Sequence, residues 1–293
     1  MDTAKRDLAE FVVTSSAANW LEFQTWLDDM RGLWIYRGQS NASWSLRTSL
    51  ERATTIQTGR FSGQQISPAQ AELSLLQDFK RRAHHYISSP PQLDDAIEWL
   101  ALMQHYGVPT RLLDWTYSPY VGLYFAVEGR DEQNPGRALW AIDLQWLRSR
   151  SELALRQCEV TYSEPVDLRT KCKWVNHILL MENNPAVVIE VEPLRVNDRM
   201  AAQQGALLCN LAHIEPFDES LSRMIKEPQP PERPVVRKLA IKPSGRIGFL
   251  QDLNQANVTG ASLFPGLDGF VRSLRINLAI EIALRSRELE QAI

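Results

Sequence analysis

The sequence predicts one mixed α+β domain spanning residues 1–293, and three observations predict it. Short apolar, strand-like runs recur at 33–37, 137–144, 186–193, 205–212 and 236–243. Segments with helical spacing stand before, between and after those runs. No internal repeat or low-complexity tract divides the chain, and the proline-rich stretch 215–234 has strand runs on both sides, so it reads as an ordered surface excursion and not a linker.

In AANWLEFQTWLDDM, residues 17–30, Trp20, Phe23, Trp26 and Leu27 recur at helical spacing, and Gly32 lies just beyond as a stop. Residues 33–37 form the first strand. Residues 43–49 alternate Trp44, Leu46 and Thr48, which predicts a partner strand and a hairpin closing through 38–41. Residues 53–66 are polar and aperiodic. Ser67-Pro68, with Glu72 nearby, opens a helix that carries Leu73, Leu75, Leu76 and Phe79 to about Tyr86. SSPPQ at 88–92 ends it, and Asp94 or Asp95 opens the next helix through Ile97, Leu100, Leu102 and Met103. SPYVGLYFAVE at 118–128 predicts a helix capped by Ser118 with Pro119 in first position. The strands from 137 onward follow, and a final helix over 265–290 bears Phe270, Leu274, Ile276, Leu278, Ile280 and Leu284. Like the helix at 17–30, it is expected to pack on the rest of the domain.

Hydrophobic residues make up 44% of the chain and charged residues 23%, an ordinary folded composition. The formal net charge of −3 removes the general attraction to phosphate backbones, so any nucleic acid has to be met by a local patch. KRR at 80–82 is the clearest basic cluster and fits a solvated helix face. Cys158, Cys172 and Cys209 are odd in number and lack CxxC spacing, which suggests neither a disulfide framework nor structural zinc. No run approaches the ~20 apolar residues of a membrane span, and the N-terminus has no long apolar stretch after its charges. The expectation is a soluble cytoplasmic protein without a membrane partner. The histidines show no HxxxH or HExxH, so no metal is expected, and GxxxxGK[ST], GxGxxG and GxSxG are all missing.

Three stretches are candidates for chemistry. In YRGQ, Tyr36 to Gln39, Arg37 ends a strand and Gly38 lets a ligand approach the backbone; the arginine either grips a phosphate or ribose, or ties the hairpin to a carboxylate. The block HYGVPTRLLDWTYSPYVGLYFAV, 105–127, gathers Thr110, Arg111, Asp114, Trp115, Thr116 and Ser118 at a turn into a helix N-terminus, with Tyr124 further along that helix. Free N–H groups and the helix dipole suit an anion there, and the aromatic suits a planar ring. The plainer alternative pairs Arg111 with Asp114 and leaves Ser118 as a cap. In IEVEPLRVNDRMAAQQGALL, 189–208, Glu190 and Glu192 share a strand face, and Gln203 and Gln204 precede a glycine and a new strand. They serve either a ribose hydroxyl and a nucleophile, or a wet sheet face.

YRGQ at 36–39, the block at 105–127, RMAAQQGALL at 199–208 and LFPGLDGFVRSL at 263–274 together resemble the FRG domain family, over about residues 30–275. The family is named for a Phe-Arg-Gly triplet, in which Tyr36 stands here for the phenylalanine. The resemblance implies an arrangement like that of ADP-ribosyltransferases: a mainly antiparallel sheet with flanking helices, and NAD as substrate with no metal. On that comparison Tyr36, Arg37, Gly38 and Gln39, with Arg111, Trp115, Thr116, Ser118 and Tyr124, hold NAD, and Arg37, Asp114 and Gln204 are the catalytic positions. Gln204 falls where a glutamate is expected, and a glutamine accepts no proton, so Glu190, Glu192 or Asp114 would supply the carboxylate. The implied acceptor is a nucleic acid or a protein, with nucleic acid favoured. The resemblance also implies a toxin of a toxin–antitoxin or anti-phage module, and hence an inhibitory antitoxin partner. The alternatives are a nucleotide-binding module without catalysis and an NAD glycohydrolase.

Overall fold

The computed structural model describes residues 8–56, 67–129, 136–157, 167–179, 184–213 and 215–291. Its centre is a seven-stranded sheet of β1 (Val12–Ala17), β2 (Trp34–Gln39), β3 (Leu112–Thr116), β4 (Arg137–Asp143), β5 (Val188–Val191), β6 (Gly205–Asn210) and β7 (Val236–Ile241). The spatial order is β1-β7-β4-β2-β3-β6-β5. β1 runs parallel to β7 and every other neighbouring pair is antiparallel, so the fold is mixed α+β with a mainly antiparallel sheet, as the sequence predicts.

The helices among the described residues are α1 (Trp20–Asp28), α2 (Ser49–Ile56), α3 (Pro68–Ala83), α4 (Ala96–His105), α5 (Pro119–Val127), α6 (Leu144–Gln157), α7 (Leu168–Leu179), α8 (Asp198–Ala202), α9 (Phe217–Lys226), α10 (Arg246–Gln255), α11 (Gly260–Leu263) and α12 (Leu267–Gln291). Their starts follow the expected signals. Ser67 and Gln70 close a reciprocal capping box on α3, Asp95 caps α4, and Ser118 caps α5 ahead of Pro119.

Alternate residues of the central strands feed two separate cores. Ile35, Ala138, Trp140 and Ile142 join one cluster with Leu147 of α6, Val175 of α7 and Leu221 of α9. Trp34, Tyr36, Leu139 and Ala141 join the other with Phe23 of α1, Leu123 of α5 and Phe249 of α10. The sheet is therefore covered on both faces where β2 and β4 lie.

The expected hairpin is not formed. β2 pairs with β4 along its length, and residues 43–48 are a loop leading into α2. The alternation there has another origin: Leu46 is fully buried, Trp44 is exposed, and Thr48 caps α2, its hydroxyl accepting from Glu51 N while Glu51 accepts from Thr48 N. The stretch 215–234 is also more than a surface excursion, because α9 buries Phe217, Leu221, Met224 and Ile225. Of α12, Ile276 and Ile280 pack on the second core, while Phe270, Leu274, Leu278 and Leu284 are exposed. Cys158 and residues 57–66 lie outside the described residues; Cys172 and Cys209 are buried thiols.

Candidate functional site

β2 and β3 are neighbours that share a single ladder pair, Tyr36 with Thr116. Beyond it the strands part, and a cleft of about 660 Å³ opens between β2, β3, β6, α4 and the segment around 193–200. Arg37 stands where the ladder stops. Its Nη1 donates to the Asp114 carbonyl at 2.6 Å, giving that oxygen the bond that a continued ladder would have supplied. Its Nε–H has no protein partner. Burial lowers the Arg37 pKa below the usual arginine value; the Asp114 charge opposes the shift and Arg52 adds to it. Arg37 is thus neither free nor in the ion pair considered from sequence: it is a cation short of counter-charge.

The Asp114 side chain is exposed to the cleft, and its Oδ2 accepts from Gln104 Nε2 at 2.9 Å. Gln104 is itself oriented by Thr110, whose hydroxyl donates to Gln104 Oε1 at 2.6 Å. Trp115 and Tyr36 also border the cleft, but their rings are buried, Trp115 in the first core and Tyr36 in the second against Trp26; burial first, then the Tyr120 hydroxyl, pushes the Tyr36 phenol up to about 12. Thr116 and Gln39 also line it, but their polar atoms are committed. The Thr116 hydroxyl donates to Gln203 O and accepts from Ser118 N, while Gln39 donates to Ser45 O and accepts from the Trp140 indole.

Other residues considered from sequence stand elsewhere. Arg111 is buried in an ion pair with Glu72, not with Asp114. Ser118 is spent as the α5 cap, and Tyr124 is buried in the second core, its phenol pKa raised by burial and then by Glu128. Gln204 adopts φ 47° in the turn before β6, with its carbonyl accepting from Tyr117 N, and Gln203 lines the cleft in its place. Gln203 Nε2 is held by the Leu263 carbonyl at 3.0 Å. Glu190 is also removed from the cleft, locked by Arg148 and the Tyr117 hydroxyl.

The carboxylate that joins Asp114 at the cleft is Glu98 of α4, which the sequence reading missed. Its Oε1 accepts from Arg195 N at 3.1 Å, and burial, followed by the Asp95 charge, raises its pKa. His105 lines the same wall, with its pKa lowered by burial and then by Arg199. Arg52, Arg195 and Arg199 complete the rim. Arg195 and Arg199 lie four positions apart within the 189–208 block, a spacing visible in the sequence.

Residues 32–135 match the family model of the FRG domain. The chain carries an FRG domain. The match spans roughly a third of the chain and holds both the Tyr36-Arg37-Gly38 triplet and Asp114, whereas Gln203, Arg195 and Arg199 lie beyond it. No curated protein and no solved structure matches the chain. Among the described residues no helix is long and apolar enough to cross a membrane, and no three His, Cys, Asp or Glu side chains gather as a metal site would.

Proposed function

We propose that the cleft of the FRG domain binds NAD and that the protein transfers ADP-ribose to a macromolecular acceptor. The observation that carries this is the set of guanidiniums around Arg37. Among the described residues Arg37, Arg52, Arg195 and Arg199 form no ion pair, and they face only Asp114 and Glu98 across the cleft. Elsewhere Arg47, Arg111, Arg148, Arg223, Arg233 and Arg272 are matched to carboxylates, while Arg150 donates to the Glu227 and Gln229 carbonyls, so it is the clustering of the four in one cleft that sets them apart. A cluster of unmatched cations in a chain of net charge −3 favours an anion. The cleft volume lies within the range of small-molecule and cofactor sites. The ADP-ribosyltransferase arrangement that the sequence resemblance implies favours NAD among anionic ligands.

In this reading Arg37 positions the pyrophosphate or the nicotinamide ribose, and Asp114 or Glu98 stabilises the positive charge that develops as nicotinamide leaves. Burial raises the Glu98 pKa, which suits it to take the acceptor's proton. Gln204 falls where a glutamate is expected and stands outside the cleft, where its neighbour Gln203 offers only a neutral amide. That observation favours a second reading, a domain that binds a nucleotide without turning it over.

Purified protein incubated with NAD and a cell lysate is expected to release nicotinamide and to add mass to a macromolecular fraction. Arg37→Ala should lower the release about tenfold or more, the loss of one charge-assisted contact, while circular dichroism stays unchanged. Undiminished release in that variant sinks the proposal. NAD binding by calorimetry with no release over hours selects the second reading. Glu98→Gln should lower the rate and remove the acidic limb of its pH profile. The corresponding biological reading, a toxin held by an inhibitory protein, predicts growth arrest on expression and relief by Arg37→Ala.

A further inference from the structure

Trp44 is the one tryptophan of the nine in the chain whose side chain stands exposed, at 52%, and it stands at the mouth of the cleft. Its loop is built to hold it there. Asn41 accepts from Ser43 N at 2.8 Å and from the Ser43 hydroxyl at 2.7 Å, Gln39 donates to Ser45 O at 3.2 Å, and Lys238 donates to Ala42 O at 2.7 Å. Two residues on, Leu46 is fully buried and anchors the loop to the first core. An indole left open to water on a fixed loop is a ready stacking surface, because its ordering cost is met within the protein. Arg52, Arg195 and Arg199 surround the same mouth, all exposed and, among the described residues, without ion pairs.

We infer that this mouth binds single-stranded nucleic acid, with one base stacked on Trp44 and the neighbouring phosphates held by Arg52, Arg195 and Arg199. A ring face beside guanidiniums is what a flexible strand of bases and phosphates requires. An acidic peptide would use the arginines and leave the indole idle, and a duplex would hide its base faces. The net charge of −3 confines the contact to this patch, so the footprint is a few nucleotides. As the acceptor of transfer, this strand rests on the NAD proposal above. In that step the bond from nicotinamide nitrogen to the ribose carbon breaks and its electron pair leaves with nicotinamide. A nitrogen or oxygen lone pair of the stacked nucleotide forms the new bond to that carbon, and the acceptor's proton passes to Glu98 or water.

The platform is testable without NAD. Fluorescein-labelled single-stranded RNA and DNA of about ten nucleotides, a duplex of the same sequence and an acidic peptide are titrated with the full chain, reading anisotropy and tryptophan quenching. A single strand should bind more tightly than the duplex or the peptide. Trp44→Ala should weaken it about tenfold, and Trp44→Phe should restore most of the binding. Replacing one of the three arginines with alanine should reduce the slope of log K against log salt by about 0.7. Equal binding by Trp44→Ala, preference for the duplex or peptide, or no oligonucleotide binding overturns the inference. If nicotinamide is released but oligonucleotides are ignored, the NAD proposal stands and this one falls. If oligonucleotides bind through Trp44 but no nicotinamide is released, the reverse holds.

Discussion

Arg111→Ala is expected to destabilise the protein by about 3–5 kcal/mol, because it leaves a buried carboxylate without its partner. The cost follows from an inversion on α3: Glu72 is buried, with 4% of its surface accessible, while Leu73 beside it is 56% exposed. Arg111 explains that placement. Its backbone N–H and its Nε donate to the two Glu72 oxygens at 3.0 and 2.6 Å, Nη1 donates to Leu211 O at 3.0 Å, and Nη2 lies against the His213 ring. One guanidinium thus ties α3 to the start of β3 and the end of β6, the two strands that carry Asp114 and Gly205 into the cleft. Burial alone would raise the Glu72 pKa. The His213 and Arg111 hydrogen bonds and the Arg111 charge overcome burial and bring it to about 2. The folded value lies below the unfolded one, so the stabilisation is fully present above about pH 4.5 and is lost as the pH falls toward 2. Urea denaturation should show that loss between those limits in the parent chain and a flatter response in Glu72→Gln. A change below about 1 kcal/mol for Arg111→Ala at pH 7 would place the pair among marginal ion pairs.

The same pair shows where sequence reading stops. Arg111 sits three residues before Asp114, and the local alternative joined the two; the true partner is 39 positions upstream on α3, which no local pattern connects to Arg111. What was legible had local causes. The starts of α3, α4 and α5 carry caps and prolines that act within a turn, and β4, β6 and β7 are apolar runs bounded by polar segments. What was missed lacked them. β1 is half polar, exposes half of its residues and takes its place by pairing with β7 from the far end of the chain. α9 is hidden by the prolines on either side, although Phe217, Leu221, Met224 and Ile225 recur at helical spacing. For the site, Arg37 and Asp114 were visible because each sits in a dense motif. Glu98 and Trp44 sat in an unremarkable helix and a supposed strand, and only the parting of β2 from β3 brings them to one cavity.

Gly38→Ala should cost about 3 kcal/mol or more, at the upper end of overpacking, although the change is a single methyl group. A Cβ there would lie 2.2 Å from the Gly122 carbonyl oxygen and 2.4 Å from the Ala126 nitrogen, both backbone atoms of α5 that cannot rotate away. Gly122 answers from the helix side, where a Cβ would meet Tyr36 Cβ at 2.9 Å and Leu139 Cδ1 at 2.8 Å. β2 and α5 therefore touch backbone to backbone, and no other residue fits at Gly38 without moving the helix. Gly248 in α10 is the control: a Cβ there meets nothing within 4 Å, so Gly248→Ala should stabilise by about 0.5–1 kcal/mol through the helix preference for alanine. Denaturant midpoints of the two variants should move in opposite directions, and a Gly38→Ala protein as stable as the parent would refute the close contact. The arginine and glycine of the triplet then have separable tasks. On the NAD proposal, Arg37→Ala folds and loses ligand affinity, whereas Gly38→Ala loses both fold and affinity because α5 no longer seats against β2. A variant of the triplet is informative about chemistry only when its stability has been measured alongside.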